Sequence, residues 1–430
     1  MKLDERCLIK KSILSGQIVV PSSKSHTLRA ILFATLANGK SFIHQYLSSK
    51  DTDAMIGACR LFGAIIKVSE ELLEIDGING SLEFLENVID AGNSGIVLRF
   101  CSAVGALAKH PVVITGDHSI RHQRPMKELL KGLSQLGVFT TTMRGDGYAP
   151  VILQGPITSG SASIVGEDSQ PVSALLIGAA FSRGPIELVV ENPGEKPWID
   201  MTLSWFDKLG IVYENREYRQ YYLKGGSRYS GFSYEVPGDF SSAAFPVAAA
   251  LITRSELTLT NIDMTDTQGD KLLIGVFQRM GALIQVDPFN KKIYVKKSGP
   301  LVGLSVDIND FVDAITILAV VACFAEGETC IYNGVIAKQK ECNRIRCISQ
   351  ELSKMGADIQ ETEDGLLIRK SKLKGALVDS HQDHRMAMSL AVAALGAEGD
   401  TTISSIECVG KTFPDFFEQM RSLGAKMELQ

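Results

Sequence analysis

Apolar and polar positions along this chain fall into two kinds of helical stretch, and each kind returns about every 70 to 75 residues, the interval expected of one repeated structural unit. The first kind is amphipathic. It ends in a large apolar residue, then Gly, then a small or β-branched residue opening a strand: Phe62-Gly63-Ala64, Leu136-Gly137-Val138, Leu209-Gly210-Ile211, Met280-Gly281-Ala282, Met355-Gly356-Ala357 and Leu423-Gly424-Ala425. Glycine just past a helix supplies a left-handed cap, so six outer helices are predicted to end there. The second kind is apolar on nearly all sides and opens on a polar residue. SSKSHTLRAILFATLANGKSFIH from Ser22 and DAGNSGIVLRFCSAVGALAKHPVVIT from Asp90 are the first two, and similar blocks begin near Asp168, Asp239, Asp310 and Asp383. Such helices belong in a core, capped at their starts by Ser, Asp, Asn or Thr.

Six units of helix, strand, helix and strand predict an α/β fold with internal quasi-symmetry, two groups of three units packed around internal helices. The strand-like segment from Gln17 to Pro21 and the Pro237-Gly238 pair are the places for the chain to cross between groups. One domain is therefore expected over residues 22–238, and the other over residues 1–21 plus 239–430. If the core helices of each group point their N-termini toward the other, free N–H groups and positive dipole ends gather on one cleft, which attracts small anions.

A chain of 430 residues with 45% apolar and 22% charged content can bury a large core and excludes disordered and fibrous classes. Its net charge of −5 argues against nucleic acid as a partner, since a phosphate backbone favours a broad basic face. Anionic ligands must then be met locally. The eight scattered cysteines show no spacing suited to zinc and are expected to be reduced thiols. No apolar run approaches the roughly 20 residues that cross a bilayer, and the charged start lacks a signal-peptide pattern, so a cytoplasmic chain without membrane attachment is expected.

The helix starts carry more cations and hydroxyls than capping needs. SSKSHTLR offers Lys24, Ser25 and Arg29, the last two on one helical face. GNSGIVLR sets Gly92 and Gly95 around Asn93, where a ligand can approach the backbone. TGDHSIRHQRPM adds Arg121 and Arg124, and GEDSQP adds Ser169 and Gln170 before Pro171. The second half supplies Asp313 in NDFVDAITI, Lys340, Glu341 and Arg344 in KQKECNR, Asp383, His384 and Arg385 in QDHRMAM, and Lys411 in GKTFPDFF. Any one set reads equally well as a cap or a surface ion pair. Four cationic sets at corresponding places in a repeat do not.

PSSKSHTLRA, GNSGIVLR, RPM, KPWIDMTL, the KE..R spacing, DHRMAM and KTFPDFFEQ together make the chain resemble the 5-enolpyruvylshikimate-3-phosphate synthase family over essentially its whole length. The resemblance implies two inverse α/β domains of three similar units, joined by two hinge crossings. It implies enolpyruvyl transfer from phosphoenolpyruvate to the 5-hydroxyl of 3-phosphoshikimate, by addition and then elimination of phosphate, with no metal or organic cofactor. By the same resemblance Lys24, Ser25, Arg29, Ser169, Gln170, Asp313 and Lys340 bind 3-phosphoshikimate, while Lys24, Gly95, Arg124, Gln170, Arg344, Arg385 and Lys411 surround phosphoenolpyruvate. Asp313 is then the base, and Glu341 the acid working with Lys24. A monomer is expected, with these two small anions as its partners.

The sequence departs from the family at several places. Asp168 and Glu195 stand where serine is frequent, and Asp168 is expected to cap its helix and face away from phosphate. Ile336 replaces an Asn and receives no polar role. Between Arg121 and Arg124, the latter is preferred because it abuts Pro125. Ile96 and Phe100 replace a usual Thr and Pro, which is expected to weaken inhibition by glyphosate, a family inhibitor of the phosphoenolpyruvate site. Two other readings compete. The related transferase acting on UDP-N-acetylglucosamine commonly uses a loop cysteine as acid, and the loop from His118 to Gln123 has none. A binding protein that kept the fold and lost the chemistry is expected to lack some of Asp313, Glu341, Arg385 and Lys411, and all four are present.

Overall fold

The computed structural model describes residues 5–84 and 86–430. Among them the strands form six four-stranded sheets. Each has two parallel strands with an antiparallel pair added at one side; in four sheets a core helix bridges the parallel strands, and in the other two the crossing segments Ser233–Glu235 and Ser15–Val19 supply one of them. The unit around Ser169–Phe181 shows the pattern. Gly160–Val165 leads into that helix and returns in Ile186–Glu191 in parallel register, while Gln220–Leu223 and Tyr213–Arg216 extend the sheet antiparallel. One strand of each pair, such as Tyr213–Arg216, is the strand predicted after an outer-helix glycine, whereas its partner, such as Gln220–Leu223, was not in the sequence reading.

The two kinds of helix lie as the pattern predicts. In Lys24–Leu36 every residue from Ser25 onward is buried, whereas Lys127–Gln135 buries only Leu129, Leu130, Gly132 and Leu133. The six glycines after the outer helices all take left-handed backbone, from φ +67 at Gly210 to +106 at Gly63. A Cβ there is strained, which is why glycine recurs. Ser23, Ser94, Asp168, Asp239 and Asp383 each cap a core helix by accepting from a first-turn N–H. The fifth start differs from expectation. Asn309–Ala314 is a tight 3-10 stretch broken by non-helical backbone at Phe311, and the α-helix, Ile315–Ala322, begins without a side-chain cap.

Contacts divide the chain into Ser22–Val236 and a second unit of Met1–Pro21 with Pro237–Gln430, so Pro237 and Gly238 go with the chain ends. Each unit has its own apolar core. In the first, Ser233–Glu235 returns to pair with Asn38–His44 and closes the set of three sheets. In the second, Arg6–Lys10 lies between Thr401–Ser404 and Lys426–Leu429, and Ser15–Val19 pairs in parallel with Glu256–Thr260. Among the described residues no helix is long and apolar enough to cross a membrane, and all eight cysteines are free thiols.

Candidate active site

In the unit Ser22–Val236, candidate residues sit at the starts of three core helices. Lys24 opens its helix with its ammonium 3.5 Å from Asp51, and Ser25 follows, buried. Arg29, one turn on, is 2% exposed. Its Nε donates to Thr202 Oγ1 at 3.1 Å, and its other nitrogens to the carbonyls of Ser25 and Trp198 at 3.3 Å each. Its guanidinium carbon lies 5.0 Å from the centre of the Phe100 ring. These partners carry no negative charge, and burial pushes Arg29 down to about 9. A buried cation held by neutral groups is a strong receptor for an anion.

Gly95 opens the second core helix. A Cβ there would stand 3.1 Å from Arg99 Nη1, 3.2 Å from Gln170 Oε1 and 3.9 Å from the Arg124 guanidinium carbon. Any larger residue would press the ends of Arg99 and Gln170 aside by a few tenths of an ångström, which glycine avoids. Arg124 is buried, whereas Arg121 is exposed and turns its Nε back to the Asp117 carbonyl at 3.3 Å. At the third start, Asp168 accepts from the Gln170 N–H at 2.9 Å, and its other oxygen lies 3.3 Å from Arg99.

Sequence reasoning missed Arg99 here and gave Glu195 no role. Arg99, 2% exposed, donates to Gln170 Oε1 at 2.6 Å and to the Pro125 carbonyl at 3.1 Å, which fixes the direction of the Gln170 amide. Its signal was position, four residues after Gly95 on the same helical face. Glu195, 1% exposed, accepts from both the N–H and the hydroxyl of Ser169 at 3.0 Å. The carboxylate thus caps the helix from outside it. Replacing Glu195 with Ala leaves that N–H unsatisfied and is expected to lower unfolding free energy by about 1–3 kcal/mol, with Gln costing less because it still accepts. Urea unfolding of the two variants checks this, and an Ala variant as stable as the parent overturns it.

In the second unit the candidates form one ionic cluster. Arg344, 1% exposed, donates from Nη1 to Asp313, from Nη2 to Glu341 and from Nε to Asp383, each at 2.7 Å. Arg385 Nη2 reaches Asp313 at 3.0 Å and Ser241 at 2.9 Å. Lys340 lies 3.8 Å from Asp313, and Lys411 donates to Glu341 at 2.9 Å. Burial pushes the Asp313 carboxyl up, but Arg385, Lys340 and Arg344 outweigh it and hold it well below the usual carboxylate range. Asp313 lies in the 3-10 stretch, just past the non-helical backbone at Phe311. Ile336 is buried in the core. Asp270, also missed, is 2% exposed with no hydrogen-bond partner on either oxygen among the described residues. Burial pushes it up to about 7 despite nearby Arg385.

Glu341, Asp383 and His384 bring possible metal-ligand atoms within 4.8 Å of one another. Arg344 occupies carboxylate oxygens of both acids and Lys411 takes the other oxygen of Glu341, so this donor set is already neutralised by organic cations.

A model of the family described as EPSP synthase (3-phosphoshikimate 1-carboxyvinyltransferase) matches residues 9–420. The 3-phosphoshikimate 1-carboxyvinyltransferase of Acetivibrio thermocellus is 44% identical over 417 residues, covering 97% of this chain and 98% of that one. The protein of the same name from Chlamydia pneumoniae is 44% identical over 422 residues, covering 98% and 94%. Among solved structures, EPSP synthase from Acinetobacter baumannii superposes with a TM-score of 0.83 at 26% identity, covering 99% of this chain and 100% of that one.

Proposed function

We propose residue roles for a chain that belongs to the EPSP synthase family. It transfers the enolpyruvyl group of phosphoenolpyruvate to 3-phosphoshikimate and releases phosphate. The observation that supports the roles best is that one buried guanidinium, Arg344, holds both Asp313 and Glu341. Asp313 accepts the proton of the 5-hydroxyl as its oxygen adds to the phosphate-bearing carbon. Glu341 gives the proton that makes the methylene a methyl group, working with Lys24. Loss of a methyl proton then expels phosphate.

A carboxylate gripped by cations is a poor base and a poor proton donor. The cations assigned to phosphoenolpyruvate, Arg344, Arg385 and Lys411, are the same ones that grip Asp313 and Glu341. As they turn to the substrate's carboxylate and phosphate, the two acids lose stabilising charge and their proton affinity rises. Binding of the substrate thereby activates the groups that attack it. For 3-phosphoshikimate, Lys24, Ser25, Arg29, Ser169 and Gln170 supply phosphate and ring contacts, with Asp313 and Lys340 at the hydroxyls. Gly95, Arg124 and Gln170 complete the phosphoenolpyruvate set with Lys24. Phosphate release assayed from phosphoenolpyruvate tests the reading: release only when 3-phosphoshikimate is present supports it, and release without that acceptor overturns it.

Phe100 lies beneath Arg29, so its replacement disturbs a proposed phosphate contact as well as the helix that starts at Gly95. Ile96→Thr separates the two effects. The new hydroxyl is expected to steady the helix start and lower the glyphosate inhibition constant against phosphoenolpyruvate by roughly three- to tenfold. KM for 3-phosphoshikimate is expected to stay unchanged. Inhibition kinetics check it, and an unaltered inhibition constant removes Ile96 from glyphosate discrimination.

A further inference from the structure

The second unit has a cavity at the end of its core helices opposite to the one that carries Asp313 and Arg385. Its volume is about 820 Å³, and every residue lining it belongs to Met1–Pro21 or Pro237–Gln430. The core helices Phe240–Thr253, Ile315–Ala322 and His384–Gly396 all run out there, where Thr253, Phe324 and Leu395 line it. Arg385 and Leu395 lie nearly three turns apart on one helix, so roughly 15 Å separates this cavity from the ionic cluster.

The floor of the cavity is apolar. Leu251, Leu301 and Leu395 are buried in it, and Ile252 and Phe324 are partly buried. A Cβ at Gly396 would stand 2.7 Å from Phe324 Cζ and 3.3 Å from Ile252 Cδ1, so the glycine lets both side chains lie close over the helix end. The rim is cationic. Lys11, Arg254, Lys370 and Lys426 stand around it with one carboxylate, Glu326, which pairs with Lys370. Four cations against one carboxylate give a formal charge of +3. Lys11, Arg254 and Lys426 have no ion pair among the described residues. The negative ends of the helices favour cations here, yet their last carbonyls already have donors. The Leu395 carbonyl accepts from the Ser12 N–H at 3.1 Å, that of Cys323 from the Ser371 N–H at 2.8 Å, and that of Ala250 from the Ser255 N–H at 2.8 Å.

The basic residues recur with the repeat. Three corresponding strands run out in Lys10-Lys11-Ser12, Lys296-Lys297-Ser298 and Arg369-Lys370-Ser371. Each serine has a structural use. Its Oγ donates to the carbonyl two residues back, at 2.8, 3.1 and 2.9 Å, and accepts the N–H of Lys426, Leu283 or Asp358 on the adjoining strand. The lysine side chain before it takes no part in this closure. At the same register Ser22–Val236 has Gly77, Gly155 and Lys224. A Cβ would stand 2.3 Å from the Ala37 oxygen at Gly77 and 1.9 Å from the Ala106 oxygen at Gly155. There the chain closes directly on two helix ends, where the second unit keeps lysines around an opening.

We propose that this cavity binds a small organic anion carrying two or more negative charges on a planar apolar body, the charges met by Lys11, Arg254 and Lys426 and the ring by Ile252 and Phe324. The volume is that of a small-molecule site, apolar within and polar at a few places. A bare polyanion leaves the floor unused, and an uncharged ring leaves the cations without partners. Phosphate and carboxylate offer these cations the same charge-assisted contacts, and the test separates them. No residue assigned to the transfer reaction takes part, so the site stands independently of that reading.

The test titrates the full enzyme in a calorimeter, with 3-phosphoshikimate saturating, using ADP, benzene-1,3,5-tricarboxylate and ring-free pyrophosphate as probes. One ADP or one tricarboxylate is expected to bind per chain, with pyrophosphate at least about tenfold weaker. ADP alone assigns phosphate-bearing ligands, and the tricarboxylate alone assigns carboxylate-bearing ones. Arg254→Glu/Lys426→Glu is expected to weaken that binding at least about tenfold, the loss of charge-assisted contacts, and to keep the parent's turnover. Lys11→Glu is an independent charge reversal with the same direction, and Phe324→Ala is expected to weaken binding about threefold or more. Absence of binding by both ring-bearing probes, pyrophosphate bound as tightly as they are, or binding that survives the charge reversals overturns the proposal.

Discussion

Turnover of the Asp313→Asn enzyme is expected to fall about 10²- to 10⁴-fold, the range carried by one acid–base group. Asn keeps the shape, and its carbonyl oxygen can still accept from Arg344 or Arg385, which reach the two Asp313 oxygens at 2.7 and 3.0 Å. Its amide nitrogen must then face a cation on the other side, so the side chain cannot satisfy both guanidiniums. KM for phosphoenolpyruvate is accordingly expected to change by less than about tenfold, while the proton of the attacking hydroxyl has no acceptor. Steady-state kinetics in both substrates decide the matter. Turnover within about threefold of the parent would assign the base to another group, and buried Asp270 nearby would be the first to examine.

The second large effect belongs to Arg344. In Arg344→Met, Asp313, Glu341 and Asp383 lose the one cation that touches all three. Breaking a buried ion pair from one side costs about 3–5 kcal/mol, because the remaining charges stay desolvated and uncompensated. Turnover is expected to disappear with it. Arg344→Lys keeps a charge but lacks the planar fork, so it is expected to recover part of the stability and little of the activity. The loss depends on pH in a definite direction. The folded-state pKa of Asp313 lies below its ordinary value of 3.8, so its stabilising contribution is present above that pH and disappears as pH falls through the folded value. Urea midpoints of the parent and Arg344→Met should therefore differ most near neutral pH and converge in acid. A gap that widens in acid would show that the guanidinium stabilises the unit by packing, not charge.

The sequence carried what is local. The glycines after the outer helices and the capping Ser and Asp residues before five core helices act within a turn of their own positions, so their spacing can be read directly. The fifth core helix escaped because NDFVDAITI continues an apolar run through a backbone break at Phe311, and composition alone does not encode that break. Arg99 and the role of Glu195 escaped for a different reason. Their partners are Gln170, 71 residues away, and Ser169, 26 residues away, pairings created only by packing three helix starts together. Asp270 left no trace because its distinguishing property is the absence of donors around it. Candidate residues that belong to a shared motif were visible, and those that orient them were not.

The position of Arg6–Lys10 bears on how the molecule is made. This strand is synthesised ahead of all of Ser22–Val236, yet both its neighbours, Thr401–Ser404 and Lys426–Leu429, come after that whole unit. At about 5–20 residues per second, roughly 20 to 80 s of synthesis separate them. During that time the three sheets of Ser22–Val236 can close on themselves, since every strand they use lies within that span. The strand containing Cys7, Leu8 and Ile9 has no such partner and presents two open hydrogen-bonding edges while it waits. The nascent chain is thus half folded and half a template for unwanted pairing, which makes this early strand, ending in Lys10 and followed by Lys11, the part of the chain a chaperone would have most reason to hold.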